Sequence, residues 1–417
     1  MSGCPATSAE TSIHYSLVMA SLTGSDVAPF TMGADPCVLL NSAASVREVM
    51  LRHGAKLQKP EFVKASNRGH WGDGLTTLEG DAWRNRRRAM VPSFKSSRIA
   101  KSLPVVAELA RETVDRWTSG SPVDMRKELE VFSARISAKL IFDADVAGFG
   151  SLGPREKLIA QDEAVGEKFV GTLSGSQDPN RAMVRPRAPR QINSLLRIID
   201  AHFDGRPAQD DILSDVIKIG QNSTEIPARE DVVGEVVQML YAGHLTIPTT
   251  LINLWRDIFP SNAAGPIYRE AARLSWEETA SLEILSKSHC LAALRESMRL
   301  HPPAPILYRE VLTEFSAGGH DFERGEQVYI CPYLLHQDGR YFDEPDQFKP
   351  ERFLGHGLRG QSRWAYMPFG IGPRTCIAAQ QTLMHMALFA LVAAQRFALV
   401  PQNSSADHLV PQPTIAS

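Results

Sequence analysis

A cysteine near the end of the chain stands in a sequence context that suits metal binding. The run Phe369-Gly370-Ile371-Gly372-Pro373-Arg374-Thr375-Cys376-Ile377-Ala378 leads directly into an apolar helical pattern. A cysteine at the start of a helix, after a glycine-rich turn whose amides can point at its sulfur, is placed to become a thiolate. An isolated cysteine is more often a buried apolar residue, and Cys376 has no neighbouring partner for a zinc site. The spacing of the glycines, Arg374 and Cys376 instead predicts a haem-iron ligand.

A second chemical feature is an acid and a base that lie three residues apart on one helical face. Glu296 and Arg299 form this pair, at the apolar end of a helix that stops at His301-Pro302-Pro303. On a surface such a pair stabilises a helix by only a few tenths of a kcal/mol. In an apolar setting the pair needs further partners to be buried, and Arg352 is a candidate third member.

A cluster of arginines from Arg84 to Arg88 suggests an anion-binding helix. Trp83 and Arg87 are four residues apart, so they share a face and could hold one anionic group together. The alternative is an ordinary solvated face. Nucleic acid is excluded as a general partner, because 45 basic residues face 47 acidic ones and the net charge is −2.

One further pattern resembles a dinucleotide-binding loop. Gly148-Phe149-Gly150-Ser151-Leu152-Gly153 has the spacing GxGxxG, but that loop needs a strand before it and a helix after it. Neither is predicted here, so we interpret the run as a glycine turn that ends a helix.

Helical periodicity dominates the 417 residues, and the elements predict an α-rich α+β fold with a small sheet. The predicted helices are Ser45–His53, Val105–Trp117, Glu128–Phe142, Gln191–Phe203, Val232–Ile258, Leu282–Leu300 and Ile377–Phe397. The predicted strands are Cys37–Leu40, Leu307–Leu312 and Gln327–Ile330, with turns at Gly318-Gly319 and Arg324-Gly325. The proline- and arginine-rich stretch Leu173–Pro189 is expected to be a loop that acts as a lid.

The five scattered cysteines form no CxxC pair, which is typical of reduced intracellular thiols. Glu10 interrupts the region where a signal peptide would lie, and the most apolar window, Met386–Ala394, is too short to cross a membrane. We therefore expect a cytoplasmic protein with no membrane partner.

From Leu39 to Phe397 the sequence resembles the cytochrome P450 family of haem-thiolate monooxygenases. Phe369 to Ala378 is similar to the family's FxxGxRxC signature, with Ala378 replacing the usual glycine. Trp83 and Arg87 match WxxxR, and Glu296 and Arg299 match ExxR. The resemblance implies a mainly α fold with small β-sheets and one catalytic domain over residues 1–417, with a small β-rich portion near its N-terminus. It also implies that the chain stops before the family's last β-hairpin.

The resemblance implies haem b as cofactor, held between the long central helix and the helix after the cysteine. Cys376 would be the axial iron ligand, with Phe369 in the same signature. Arg352 would complete a structural triad with Glu296 and Arg299. The haem propionates would be bound by Trp83, Arg87, Arg309 and Arg374.

On the oxygen side the family's AGx(D/E)T pattern is similar to Ala242-Gly243-His244-Leu245-Thr246. Thr246 would hydrogen-bond dioxygen and guide protons to it. Leu245 replaces the acid and cannot relay protons, so they must come from water, His244 or the substrate. Pro248 removes a backbone donor, which predicts a kink or a hydrated groove in this helix.

Two reactions stay open. One is ordinary hydroxylation or epoxidation, in which water replaces the missing acid. The other is oxidative ring closure or C–N or C–C bond formation, as in bacterial biosynthetic members that act on indole or dipeptide-like scaffolds. A peroxide-using enzyme and a non-catalytic haem-binding relative are further alternatives. The expected substrate is bulky and largely apolar, and its pocket would be lined by Thr76, Ala242, His244, Leu245, Ala304, Ile306 and Leu307.

The chain carries no flavin or iron–sulfur motif, so the resemblance implies separate electron donors, a ferredoxin and its reductase. They would dock near Cys376, where Arg86 or Arg88 could attract an acidic partner. We expect a monomer.

Overall fold

A computed structural model of the chain describes residues 16–32, 35–71, 73–143, 199–200, 211–221, 229–261, 264–355, 357–401 and 408–413. Within these ranges the helices are α1 (Ala43–Arg47), α2 (Glu61–Trp71), α3 (Gly80–Met90), α4 (Ser96–Val114), α5 (Met125–Phe142), α6 (Ile212–Gln221), α7 (Arg229–Ile258), α8 (Ala264–Arg273), α9 (Trp276–Thr279), α10 (Leu282–Lys287), α11 (His289–Leu300), α12 (Pro332–His336), α13 (Ser362–Ala365) and α14 (Ala379–Arg396). The strands are β1 (Val27–Met32), β2 (Asp35–Leu40), β3 (Leu57–Gln58), β4 (Val123–Asp124), β5 (Leu307–Val311), β6 (Phe315–Ala317), β7 (His320–Phe322), β8 (Gln327–Ile330), β9 (Phe397–Pro401) and β10 (His408–Pro413).

The main core lies among α4, α5, α7, α11 and α14. Apolar residues at helical spacing on each helix pack into one cluster, because burial of these faces removes a large apolar area from water. Phe389 of α14 lies at its centre, with ring centroids 4.2 Å from Phe132 of α5 and 6.1 Å from Trp255 of α7. The prediction of a helical body with small sheets is confirmed.

The largest sheet has the strand order β1-β2-β8-β5-β3. β2 and β8 are parallel, whereas β5 pairs antiparallel with both β8 and β3. β2 therefore joins a strand that comes 290 residues later in the chain. Gln327–Ile330 is a strand as predicted, and Gly318 and Gly319 turn the β6–β7 hairpin with φ of 58° and 76°.

The single helix predicted over Leu282–Leu300 is two helices, so that prediction was wrong. Ser288 separates α10 from α11 with an extended backbone, φ −70° and ψ 148°. Its hydroxyl accepts a hydrogen bond of 3.0 Å from the N–H of Leu291. A serine that caps the next helix competes with helix continuation, and apolar periodicity alone does not detect this.

The long helix α7 extends beyond the predicted Val232–Ile258 and continues past Pro248. Two hydroxyls bond back along this part of the helix: Thr246 Oγ1 donates to the carbonyl of Ala242 at 2.7 Å, and Thr250 Oγ1 donates to the carbonyl of Thr246 at 2.8 Å. The GxGxxG run at 148–153, the stretch Leu173–Pro189 and most of the helix predicted over Gln191–Phe203 lie outside the described residues.

Candidate haem and active site

The loop before α14 carries Cys376, whose side chain has accessible surface. Gly370 and Gly372 have φ of 77° and 79°, the left-handed region that glycine adopts without strain. A Cβ on Gly372 would lie 2.7 Å from the carbonyl oxygen of Met50, so this position also needs glycine for space. The N–H of Cys376 donates to the carbonyl of Phe369 at 2.9 Å and closes the loop. Among the four described cysteines, Cys376 is the exposed one.

The polypeptide around Cys376 does not favour the thiolate by itself. Protein packed around the sulfur raises the pKa of the thiol, although the residue has accessible surface. The Ala378 amide and the Arg87 guanidinium oppose this effect, and they are the smaller contributions. The prediction that Cys376 is placed to become a thiolate therefore requires a positive charge at the sulfur beyond those of the described residues. A metal cation at the sulfur would supply the missing charge.

Glu296 and Arg299 are fully buried, each with 0% exposure, at the end of α11. The pair is bidentate, with Arg299 Nε and Nη2 at 2.9 and 2.7 Å from the two carboxylate oxygens of Glu296. Glu296 also accepts from Arg352 Nε at 3.2 Å and from the N–H of Lys349 at 2.9 Å. The structure thus brings the three predicted members together.

The remaining donors of Arg299 hold the segment that follows α12. Nη1 donates to the carbonyls of His336 and Pro345 at 2.8 and 2.6 Å, and Nη2 donates to the carbonyl of Gln347 at 3.0 Å. A buried charge pair stabilises a fold only when its other hydrogen-bonding groups are satisfied, and here they are. His336, which the sequence did not single out, lies in the same network and is fully buried.

A group of cations gathers on the other side of the cysteine loop. Trp83 has two guanidiniums close to its ring, with Arg374 at 4.0 Å and Arg87 at 5.7 Å from the ring centroid. Arg87 Nη2 also donates to the carbonyl of Thr375 at 2.7 Å, which ties α3 to the loop. Arg374 donates to the carbonyl of Leu78 at 2.9 Å and forms an ion pair with Glu79. Trp83 and Arg87 do share a face, as predicted.

Two further cations belong to this group. Arg309 of β5 is buried and donates to the carbonyl of Tyr308 at 2.6 Å. Burial, together with Arg374, lowers the pKa of Arg309 to about 10. Burial also lowers the pKa of Lys59 to about 7, with Arg374 and Arg309 adding to the effect. Lys59 was missed from the sequence because a lone lysine after a short strand carries no recognisable pattern. We call Lys59, Arg87, Arg309 and Arg374 the cationic array.

Two other arginines of α3 serve different purposes. Arg84 is exposed and pairs with Asp81. Arg86 is 11% exposed and lies 3.3 Å from Glu235 of α7. The prediction that Arg86 attracts an acidic partner was therefore wrong, because Arg86 faces α7 inside the protein. Arg88 is exposed.

The segment before α3 is docked closely on α7. The N–H of Leu75 donates to Glu235 at 3.1 Å, and the N–H of Thr76 donates to Gln238 Oε1 at 3.1 Å. A Cβ on Gly234 would lie 2.2 Å from the carbonyl oxygen of Asp73, so glycine is required at this crossing. Thr76 Oγ1 is buried and has no hydrogen-bond partner among the described residues.

Thr246 and Ala242 are exposed on α7, one helical turn apart. His244 and Leu245 lie in the same helix, and their side chains fall outside the described part of the structure. Ala304 is half-buried in the turn before β5.

Ile306 and Leu307 point to opposite faces of the sheet. Ile306 packs against the cluster that contains Tyr329, whereas Leu307 packs on the other face, where its Cδ1 lies 4.0 Å from a Cβ built on Gly370. Consecutive strand residues alternate in this way, so the two cannot line one pocket. The expectation for Ile306 is corrected, and Leu307 is the residue next to the cysteine loop.

Comparison with known proteins assigns this arrangement to a family. The sequence profile of cytochrome P450 matches residues 7–157 and 268–415, which together are well over half of the chain. The chain belongs to the cytochrome P450 family. The match omits residues 158–267, which contain α7, so the family profile leaves the AGHLT stretch outside.

Individual relatives are distant. The chain is 26% identical to cyclooctatin synthase of Streptomyces melanosporofaciens over 76% of this chain and 70% of that protein. It is 25% identical to cyclooctat-9-en-7-ol 5-monooxygenase of the same organism over 90% of this chain and 83% of that protein. Cytochrome P450 714C1 of Oryza sativa subsp. japonica is 25% identical, over 89% and 76%. Members of this family are oxidoreductases that carry haem iron, and this P450 is such an enzyme.

The residues present fit the haem that the P450 family implies. A haem has two carboxylates, and the cationic array offers four cations to an anion. Among the described residues, Glu79 is the carboxylate whose charge acts on Lys59, Arg309 and Arg374. Buried cations need anionic partners, and the described residues offer the array too few. The described helices of this P450 include none that is long and apolar enough to cross a membrane.

Proposed function

We propose that residues 1–417 form one catalytic domain that binds haem b and oxidises a bulky, largely apolar small molecule. In this proposal Cys376 is the axial iron ligand and Phe369 closes its loop. Trp83, Arg87, Arg309 and Arg374 hold the haem propionates. The observation that carries the proposal is the position of the exposed Cys376 on a loop that Arg87 ties to the cationic array.

The bound haem supplies the activation of dioxygen, and the chain's own residues position the substrate and the protons. The buried network of Glu296, Arg299 and Arg352 would fix the protein on the side of the cysteine loop. Each charge in this network has a partner of opposite sign. Thr246 Oγ1 donates its proton to the carbonyl oxygen of Ala242, 2.7 Å away. The hydroxyl oxygen can therefore still accept a hydrogen bond from another group. We propose that Thr246, as an acceptor, would orient a proton donor such as water or His244 at the place where dioxygen is to be activated.

We propose that the substrate pocket lies between the segment before α3, the exposed face of α7 and the start of β5. Its lining would come from Thr76, Ala242, His244, Leu245, Ala304 and Leu307. Small and aliphatic side chains dominate this set, which suits a substrate recognised by shape. The buried Thr76 hydroxyl, which has no partner in the described chain, would give one hydrogen bond.

We propose hydroxylation or epoxidation in secondary metabolism as the reaction. Two relatives with names from one Streptomyces pathway support this, and one of them is named a monooxygenase. Oxidative ring closure or bond formation is the second candidate, since Leu245 replaces the acid that would relay protons. Product analysis under isotopically labelled dioxygen separates them: monooxygenation places one labelled oxygen in each product molecule, whereas a product without label supports the second candidate.

For electron supply we propose a ferredoxin that docks beside the cysteine loop. A cavity of about 440 Å³ opens there and is lined by Leu51, Trp364, Thr375 and neighbouring loop residues. Exposed Arg47 and Arg363 both lie close to Trp364, at 4.9 and 4.7 Å from its ring centroid. Their charge suits an acidic partner. Charge reversal at Arg363 should slow reduction by a ferredoxin while leaving reduction by dithionite unchanged.

We also propose that the protein is a cytoplasmic monomer. The four described cysteines are free, and Cys37, Cys290 and Cys331 are buried, which suits a reducing compartment. Sedimentation of the full-length protein tests the monomer.

The first experiment is the absorption spectrum of the dithionite-reduced, carbon-monoxide-bound protein. We expect the red-shifted Soret band of a thiolate-ligated haem, its loss in Cys376→His and its retention in Cys331→Ala, the control for a buried cysteine. A wild-type protein without this band would overturn the proposed function. Added hydrogen peroxide without a reductase tests whether the enzyme can use peroxide directly.

A further inference from the structure

The helices α5 and α7 run antiparallel and cross near the middle of both. The first half of α5 shares one apolar cluster with the second half of α7, for example through Phe132 and Leu251. The end of α5 shares another cluster with the first half of α7, for example through Ile141 and Val236. The crossing point therefore lies in the part of α7 that carries Thr246.

Ser137 of α5 approaches α7 at a position that has no side chain. A Cβ on Gly243 would lie 3.0 Å from Ser137 Oγ, which is closer than an ordinary contact, so the glycine lets this hydroxyl reach the backbone of α7. Thr246 follows Gly243 by three residues, and Cβ positions at that spacing lie about 5 to 6 Å apart on one helix face. The Ser137 hydroxyl is therefore within about 9 Å of the Thr246 side chain, which is short enough for a chain of one or two waters.

The hydroxyls near this crossing differ in where their protons go. Thr246, Thr250 and Ser133 each donate to a carbonyl of their own helix, at 2.7, 2.8 and 3.1 Å. Ser137 is half-buried, and its hydroxyl has no hydrogen-bond partner among the described residues. Because a hydroxyl has one proton to donate, Ser137 is the member of this group that can still give its proton to water.

The surrounding stretch of α7 has no acid that could supply protons. Leu245 replaces the expected carboxylate, and the helix has no acidic residue between Ala242 and Thr250. A water held by Thr246 must therefore regain its protons from another group. A hydroxyl on a neighbouring helix is suited to this, because it can accept one proton as it gives another and builds up no charge.

We propose that Ser137 is a further positioning residue for the oxidation, whose hydroxyl holds a water between α5 and Thr246 and resupplies it with protons. This inference deepens the proposed function and rests on it. In each transfer the Ser137 O–H bond breaks as its proton passes to the water, and a new O–H bond forms with a proton from solvent. The serine ends unchanged, and no electron moves.

The competing explanation is that Ser137 is present only because a small side chain fits against Gly243. Ser137→Ala separates the two explanations, since alanine keeps the fit and removes the hydroxyl. Ser133→Ala is the matched control: it makes the same change one turn away on α5, at a buried serine whose proton goes to the carbonyl of Glu130.

The test uses the full-length holoenzyme in two assays, each in H2O and in D2O. One assay measures dioxygen consumption with NADPH, a plant-type ferredoxin and its reductase. The other measures guaiacol oxidation driven by hydrogen peroxide, which brings its own protons. A third readout does not depend on turnover: the infrared C–O stretch of the reduced carbon-monoxide complex, whose frequency falls when a nearby group donates a hydrogen bond to the oxygen.

We expect Ser137→Ala to slow dioxygen consumption about 10-fold, less than the loss of a full general acid, because water partly replaces a hydroxyl. The solvent isotope effect on this rate should increase, since proton supply becomes the slow step. Peroxide-driven oxidation should stay at the wild-type rate, and the C–O stretch should move to higher frequency. Ser133→Ala should match the wild type in all three readouts.

Two results would overturn the inference. One is a Ser137→Ala enzyme that behaves like Ser133→Ala, since the hydroxyl would then have no role beyond its size. The other is equal slowing of both assays, which would indicate general damage to the site. Failure of the proposed function is a separate outcome, because it would show as a wild-type protein without a thiolate Soret band.

Discussion

The backbone N–H of Met367 donates to Nε2 of His336 across 2.9 Å, and the other ring nitrogen lies 3.1 Å from the carbonyl oxygen of Arg299. Since an amide N–H can only donate, Nε2 is the acceptor and Nδ1 carries the proton that goes to Arg299. A neutral imidazole in one tautomer therefore joins the last turn of α11 to the loop that leads to Cys376. The backbone carbonyl of Arg299 is thus linked to the cysteine loop through His336.

Replacement of His336 by alanine should destabilise the protein by about 3 kcal/mol, because it leaves two buried backbone groups without a partner. It should also shift the carbon-monoxide complex away from the thiolate Soret band, since the loop loses its tie at Met367. Urea unfolding and the reduced carbon-monoxide spectrum measure the two effects.

His385→Ala is the matched control for His336→Ala. His385 is buried as well, but its recorded partner is the Ser102 hydroxyl at 3.0 Å, away from the cysteine loop. We expect this variant to lose stability and keep the thiolate band. Equal spectral damage in both variants would argue against a specific link through His336.

Acid should destabilise the fold through these two histidines. Burial lowers the pKa of His336 and of His385 to about 3, whereas an unfolded histidine titrates near 6.5. Between these values the unfolded chain binds protons that the folded protein excludes, so stability is fully present above about pH 6.5 and is lost as pH falls. Each histidine contributes a slope of up to about 1.4 kcal/mol per pH unit.

His385→Gln should remove one of these slopes. The free energy of unfolding of this variant should fall less steeply than that of the wild type between pH 6.5 and 4, as measured by urea unfolding at each pH. His289→Gln, at a half-exposed histidine, is the control and should keep the wild-type slope. A His385→Gln slope equal to the wild type would contradict the assignment.

The sequence predicts those parts of the site that have fixed spacing along the chain. The glycines and Cys376 share one loop, and Glu296 with Arg299 share one helix face, so local geometry decides their arrangement. His336, Lys59 and Gln238 could not be found this way, because each acts across a contact between distant segments. No local period marks a residue that meets its partner only after folding.

Short secondary-structure elements and the protonation of buried side chains are also difficult to predict from local sequence patterns. The long helices α4, α5, α7 and α14 were predicted at least in part, whereas the shorter helices α2, α6 and α8 and the edge strands β1 and β3 were not. The pKa of the Cys376 thiol also depends on the protein packed around the sulfur, which the sequence does not show.

Arg299→Lys should cost the protein its haem although the charge is kept. Arg299 makes five hydrogen bonds, two to Glu296 and three to backbone carbonyls, and a lysine has three donors at one point. Buried acceptors would lose their donors, and we expect a loss of about 3 to 5 kcal/mol. Haem content and urea unfolding measure this, with Arg84→Lys, on an exposed pair, as the control that should stay within about 0.5 kcal/mol of the wild type.

Gly372→Ala should distort the cysteine loop more than backbone strain alone explains. An alanine at φ 79° costs about 1 to 2 kcal/mol, and its Cβ would also lie 2.7 Å from the carbonyl oxygen of Met50. Gly360→Ala separates the two effects, since Gly360 has φ 58° and open space around its Cβ position. We expect Gly360→Ala to lose only the strain energy and keep the thiolate Soret band, and Gly372→Ala to lose more stability and part of that band. If the two variants behaved alike, the contact with Met50 would have no role in holding Cys376 in place.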